Sequence, residues 1–175
     1  MNDALPLVVA NHKANKNWQE IKDWLKIVGP QAKDFKGTVL LCPSYPFISG
    51  AYEEINAHGY KIKLGAQDVS QFESGAYTGE VPAAQLVGIA DYIIVGHSER
   101  RNNFLEDESV LQTKVNSAQN NGIDAIYCVQ TETTPIAKNT MIIAYEPPFA
   151  IGTGNPDTLE NIGKVAKKIK ESIPY

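Results

Sequence analysis

Tyr92-Ile93-Ile94-Val95-Gly96-His97-Ser98-Glu99-Arg100-Arg101 is four apolar residues followed by an abrupt change of chemistry. The apolar part does not alternate with polar residues. A continuous run of this length is what a strand buried on both faces requires, and such strands belong to parallel sheets covered by helices. After Gly96 come an imidazole, a hydroxyl, a carboxylate and two guanidinium groups. In parallel α/β folds the ends of the strands are where ligands bind and chemistry is done.

Five other stretches repeat the pattern: Leu7–Ala10, Thr38–Cys42, Ile62–Gly65, Ala125–Val129 and Met141–Ala144. Helical spacing separates most of them. Asn17 with Glu20 forms a capping-box pattern, and Trp18, Ile21, Trp24, Leu25 and Val28 follow on one face. Leu111, Val115 and Ala118 mark another helix that Gly122 can terminate. Asp157 is expected to cap a last helix with Leu159, Ile162, Val165, Ile169 and Ile173 inward. The Lys164–Lys170 cluster then lies on its solvated face. Between the fifth and sixth runs the short segment around Thr131-Glu132-Thr133-Thr134-Pro135 reads as loop, because proline opposes a helix there. The count is six strands and about five helices in one α/β domain spanning 1–175. The choice lies between an open doubly wound sheet and a barrel. A closed eight-stranded barrel takes about 200–250 residues, so 175 argue for an incomplete one.

Composition narrows the class. Hydrophobic residues make up 43% and charged residues 21%, values of an ordinary globular chain. The net charge of −4 and pI near 5.4 speak against a nucleic-acid partner. Cys42 and Cys128 are too few for a disulfide framework and sit in apolar runs, as buried thiols of a reducing compartment do. No apolar stretch reaches membrane-spanning length, and Met1-Asn2-Asp3-Ala4 carries no leader pattern. The expectation is a cytoplasmic protein without a membrane partner.

Three strand ends are conspicuously polar. Asn11 and Lys13 share one face of an extended chain and suit an anionic, oxygen-rich ligand. His97 can serve as acid, base or electrophile, with Glu99 and the arginines bracing its loop. Glu146 ends an apolar strand, where a carboxylate is costly unless used, and a desolvated carboxylate can be a general base. Pro147-Pro148 stiffens one end of the following loop and Gly152-Thr153-Gly154 loosens the other, as in a lid; Gly152 N–H can donate to a phosphate oxygen.

Together these segments resemble the triosephosphate isomerase family. Asn11-His12-Lys13-Ala14-Asn15 looks like its first-strand signature, and Gly96–Arg101 is identical to its strand-four motif. Ala144–Pro147 and Ala150–Gly154 resemble strand six and the lid; Gly65–Asp68 and Gly75–Val81 resemble strand three and the interdigitating loop. The resemblance implies a barrel-type (β/α) fold and isomerisation of dihydroxyacetone phosphate and glyceraldehyde 3-phosphate through an enediolate. It implies Glu146 as base, His97 as neutral electrophile, Lys13 as charge compensation and Asn11 as donor to substrate. This family is itself the standard example of a glutamate base working beside a histidine kept neutral. Gly152 would grip phosphate, Ser98 and Glu99 would support, and no metal or organic cofactor is implied.

Departures carry expectations too. His12 and Phe149 stand where the family carries other aromatics, and the helix after strand five is missing. The chain stops at Pro174-Tyr175, where a seventh strand would begin, so the loops that cradle phosphate in the family have no counterpart here. The alternative expectation is therefore an inactive or weakly active subunit completed by another chain. Open sheet edges and an uncovered apolar face at the missing helix predict a homo-oligomer. The resemblance implies that the loop Gln71–Thr78 inserts beside a neighbour's first strand, with Tyr77 and Thr78 in the interface and Thr78 approaching the neighbour's Asn11 and Lys13.

Overall fold

The computed structural model describes residues 6–173. The readings made at Met1–Ala4 and at Pro174-Tyr175 lie outside them. Six parallel strands form one sheet in chain order: β1 (Leu7–Asn11), β2 (Thr38–Cys42), β3 (Ile62–Ala66), β4 (Tyr92–Val95), β5 (Asp124–Val129) and β6 (Ile142–Tyr145). Five helices accompany them: α1 (Trp18–Ala32), α2 (Ile48–His58), α3 (Ser98–Asn103), α4 (Glu108–Asn120) and α5 (Leu159–Ser172). Neighbouring registers such as Val8 with Val39 and Ile94 with Ile126 run parallel throughout.

β2 to β5 bury residues on both faces, which is why their apolar runs do not alternate, whereas the edge strands β1 and β6 are only partly covered. Leu40, Cys42, Ile94, Ile126 and Cys128 form an inner cluster joined by Leu7 of β1 and by Ile142 and Ala144 of β6. Residues from both edges thus share one interior, as a curled, incomplete barrel requires. The intervening positions face outward under helices. Leu41 and Leu64 pack on Ile21, Leu25 and Ile55, while Ile93, Val95, Tyr127 and Val129 pack on Leu111 and Val115.

The capping box is present: Asn17 Oδ1 accepts from Glu20 N–H at 3.0 Å, and Glu20 Oε2 accepts from Asn17 N–H at 2.8 Å. Gly122 follows α4 with φ +70°. The last helix departs from expectation. Its cap is Thr158, whose hydroxyl accepts from Asn161 N–H at 3.2 Å; Asp157 instead accepts from Tyr145 O–H and from the Asn161 amide. Of the five expected inward residues only Val165 and Ile169 are buried, and Leu159 is 89% exposed. One turn of apolar residues has no partner within the described residues.

The face left by the missing helix is also not bare. The loop between β5 and β6 folds back on it, with Ile136 and Ala137 packed against the outer cluster. Tyr127 O–H donates to Pro135 O at 3.2 Å, and Lys138 N–H donates to Gln112 Oε1 at 2.7 Å, tying the loop to β5 and α4. The uncovered apolar surface lies at the sheet's edges instead. Val8 is 50% exposed on β1, and Met141 and Phe149 are exposed beside β6. Among the described residues β1 pairs only with β2 and β6 only with β5. No helix among them is long and apolar enough to cross a membrane.

Candidate active site

The ends of β1, β4 and β6 converge. Gly96 makes the turn that delivers the β4 motif. Its φ is +72°, and a Cβ there would lie 3.0 Å from the Arg101 guanidinium and 3.3 Å from Leu111. Arg101 fills that space, donating to Gly96 O at 2.8 Å and to Tyr127 Oη at 3.1 Å, and pairing with Glu108 at 2.7 Å. The next residue, His97, caps α3. Its Nδ1 accepts from Glu99 N–H at 3.3 Å, so a neutral ring carries its proton on Nε2. That Nε2 lies 3.1 Å from Glu146 Oε2.

Glu146 reaches this point because its N–H donates to Val129 O at 2.9 Å, continuing the β5–β6 ladder one residue past β6. Its side chain is 13% exposed. Oε1 accepts from Ser98 N–H at 2.5 Å and from the Gln130 amide at 2.8 Å; Oε2 accepts from Ser98 O–H at 3.3 Å. Ser98 is buried at the first turn of α3 and holds the carboxylate against His97.

On the opposite edge Lys13 has φ +50°, a left-handed backbone that strains a non-glycine residue. Three groups hold it. Its N–H donates to Asn11 Oδ1 at 2.9 Å, and its carbonyl accepts from Ser44 O–H at 3.0 Å and the Gln67 amide at 2.9 Å. Gln67 also donates to Cys42 O at 2.9 Å, spanning β1 and β2. The Lys13 ammonium pairs with Glu99 at 2.6 Å. Asn11 Oδ1 being engaged, its amide NH2 is the group open to a ligand. His12 points the other way, its ring edge-on to Trp24 at 5.3 Å, and burial lowers its pKa with the nearby Lys16 charge.

Asn11, Lys13, His97, Glu99 and Gln67 line one cavity of about 350 Å³, within the usual range for small-ligand sites. A wider depression of about 500 Å³ at the opposite pole, lined by Lys63, Asp91 and Asp124, carries none of the motif residues. Beneath the site a buried charge cluster anchors α3. The Lys114 ammonium bridges Asp68 at 2.7 Å and Glu106 at 2.6 Å, and Arg100 pairs with the same two carboxylates at 2.9 and 2.7 Å. Burial raises the Asp68 pKa against the pull of Lys114 and Arg100. The Tyr45 hydroxyl, its pKa pushed up by burial, donates to Asp68 O.

The structure therefore brings Asn11, Lys13, His97, Ser98, Glu99 and Glu146 into one region. Gly152 stands apart. It is exposed with φ +71° in the 147–154 loop, and among the described residues none from that loop lines the cavity. Tyr77 and Thr78 are exposed on a loop closed by Ser70 N–H donating to Val81 O at 2.9 Å, with Tyr77 stacked on Phe72 at 4.1 Å. Ser44, Gln67 and Gln130 are site residues that the sequence patterns do not mark. The rule that flags the ends of β1, β4 and β6 applies equally to Gln67 after β3 and Gln130 after β5.

A model of the triosephosphate isomerase family matches residues 6–140 and 130–174, two pieces that overlap in the loop between β5 and β6. Three relatives named triosephosphate isomerase match as well. That of Thermoanaerobacter pseudethanolicus is 33% identical over 96% of this chain and 77% of its own length. That of Clostridium botulinum (strain Loch Maree / Type A3) is 32% identical over 95% of this chain and 76% of its own length. That of Colwellia psychrerythraea is 40% identical over 66% of this chain and 56% of its own length. The matches thus span from just over half to about three quarters of the relatives' length. With six parallel strands in barrel order and the β1, β4 and β6 ends gathered as described, the chain belongs to the triosephosphate isomerase family.

Proposed function

We propose that this chain interconverts dihydroxyacetone phosphate and glyceraldehyde 3-phosphate by moving one proton between adjacent carbons. The observation that carries the reading is Glu146 held 3.1 Å from His97 Nε2, next to a cavity whose far wall is Lys13. Glu146 takes the proton from the carbon beside the carbonyl, leaving an enediolate. His97 donates from Nε2 to the oxygen that gains charge. Lys13, fixed by its tethered backbone, offsets the charge of enediolate and phosphate. The Asn11 amide donates to a substrate oxygen, and Gly152 N–H meets phosphate as the loop closes. The reaction is redox-neutral and needs no metal or organic cofactor. The thiols of Cys42 and Cys128, free and buried, suit a reducing cytoplasm.

A coupled assay for glyceraldehyde 3-phosphate on the purified chain tests this. Glu146→Asp, which withdraws the carboxylate by about one methylene, is expected to cut turnover about 100-fold with the far-UV circular dichroism unchanged. No turnover in the parent chain, or equal turnover in the variant, contradicts the proposal.

We also propose a homo-oligomer built on the 68–80 loop and the strand edges. The exposed Phe72–Tyr77 stack and the one-sided pairing of β1 and β6 support it. Sedimentation at micromolar concentration is expected to show a dimer or larger species that Tyr77→Asp dissociates. A cooperative monomer indifferent to that change rules it out.

A further inference from the structure

Gln130 is the first residue after β5, and its amide donates to Glu146 Oε1 at 2.8 Å while lying 3.5 Å from Gly96 O. Ser98 N–H donates to the same oxygen at 2.5 Å. The other oxygen accepts from Ser98 O–H at 3.3 Å and faces His97 Nε2 at 3.1 Å. A carboxylate offers about four lone-pair directions, and here four polar groups crowd them. A base needs one such direction aimed at a C–H bond. Glu146 is also not among the residues lining the cavity formed by Asn11 and Lys13. The orientation is a resting one.

The surrounding groups differ in what else they do. His97 faces the cavity and caps α3, and Ser98 is the first residue of that helix. Gln130 comes from the β5–β6 loop and does not line that cavity. We propose that Gln130 is a positioning residue that latches Glu146 in its resting orientation, and that turnover includes breaking this bond. A neutral amide suits a latch that must open, because it holds a carboxylate without the Coulombic grip of a guanidinium. The proposal rests on Glu146 being the base. A bond made at rest and lost in the reactive orientation sets the equilibrium between the two, so its removal favours the reactive one.

The test uses Gln130→Met, of similar length without a donor, and Gln130→Asn, one methylene short. Steady-state kinetics are measured, together with the affinity for 2-phosphoglycolate, whose planar carboxylate imitates an enediolate and requires Glu146 to turn toward it. Gln130→Met is expected to raise kcat/KM about 3- to 10-fold and to tighten 2-phosphoglycolate by a similar factor, with a smaller gain for Gln130→Asn. In a Glu146→Ala background Gln130→Met should leave that affinity unchanged, which a general structural role would not produce. A fall in kcat/KM on Gln130→Met, or an affinity gain that persists without Glu146, overturns the latch. A chain without turnover that still shows the Glu146-dependent gain keeps the latch and overturns the isomerase reading.

Discussion

Lys13 and Glu146 end strands on opposite edges of the same sheet, and they are held in opposite ways. Lys13 is fixed through its backbone: a left-handed φ, with its own N–H and carbonyl tied to Asn11, Ser44 and Gln67. Glu146 has an ordinary strand backbone, paired through its N–H to Val129 O, and its carboxylate is oriented by Ser98 and Gln130 beside His97. A group that only supplies charge works best immobile, since preorganised charge costs no rearrangement during reaction. A group that takes and returns a proton must turn, and side-chain bonds can be exchanged where a backbone cannot. The surroundings are shared in part. The buried Lys114–Asp68–Glu106–Arg100 cluster anchors α3, whose Glu99 pairs with Lys13 and whose Ser98 holds Glu146; the Glu146 side differs in leading into an exposed loop.

The largest expected effect removes the anchor of α3, which both sides share. Lys114 is only 5% exposed, and Lys114→Met leaves two buried carboxylates with Arg100 alone. Removing one partner of a buried ionic group costs about 3–5 kcal/mol, so the urea midpoint should fall steeply. A midpoint within experimental scatter of the parent would show that the cluster does not anchor α3. Next, Lys13→Met should lower kcat/KM about 100- to 1,000-fold, as loss of a preorganised charge does elsewhere. A loss below about tenfold would end the view of Lys13 as fixed compensation. Gln67→Leu sharpens the contrast by loosening the backbone tether without touching the ammonium. A drop of about tenfold in kcat/KM is expected, and it should vanish in a Lys13→Met background; additive losses would mean Gln67 acts elsewhere.

The smallest effect is a gradual one with pH. Burial raises the Cys42 thiol from 9.0 to about 12, and burial raises the Tyr127 hydroxyl from 10.0 to about 12 against the pull of Arg101. The unfolded chain releases these protons first, so it binds fewer protons than the folded chain in that interval. The stability they contribute is full below about pH 9 and lost as pH rises toward 12. Urea unfolding at about pH 8 and about pH 11 should show the decline, and Cys42→Ala should make it shallower. Equal slopes in parent and variant would show that Cys42 is not protected inside the sheet.

The two sides also differ in how readable they are from sequence. β2 through β5 are plain from their apolar runs because helices cover one face and other strands' side chains the other. Asn11, Lys13, His97 and Glu146 are plain because polar residues at buried strand ends are costly without a purpose. Gln67 and Gln130 follow β3 and β5 and meet the same strand-end rule, but an uncharged amide stands out less, and its partners, a carbonyl 54 residues away and a carboxylate 16 residues away, are set only by the fold. Leu159 and Ile162 mislead because amphipathic spacing states that a face wants cover and not that cover is at hand. Ile136 and Ala137 show the reverse: a loop without periodicity supplies the packing expected of a helix.

Proton transfer between the proposed base Glu146 and a carbon beside the carbonyl can be read by isotope exchange without requiring product release. Dihydroxyacetone phosphate is incubated with the chain in D2O, and loss of the proton signal at the hydroxymethyl carbon is followed by NMR. Exchange is predicted with the parent chain, slowed about 100-fold in Glu146→Asp. An absence of exchange with the parent, or an equal rate in the variant, would contradict that assignment.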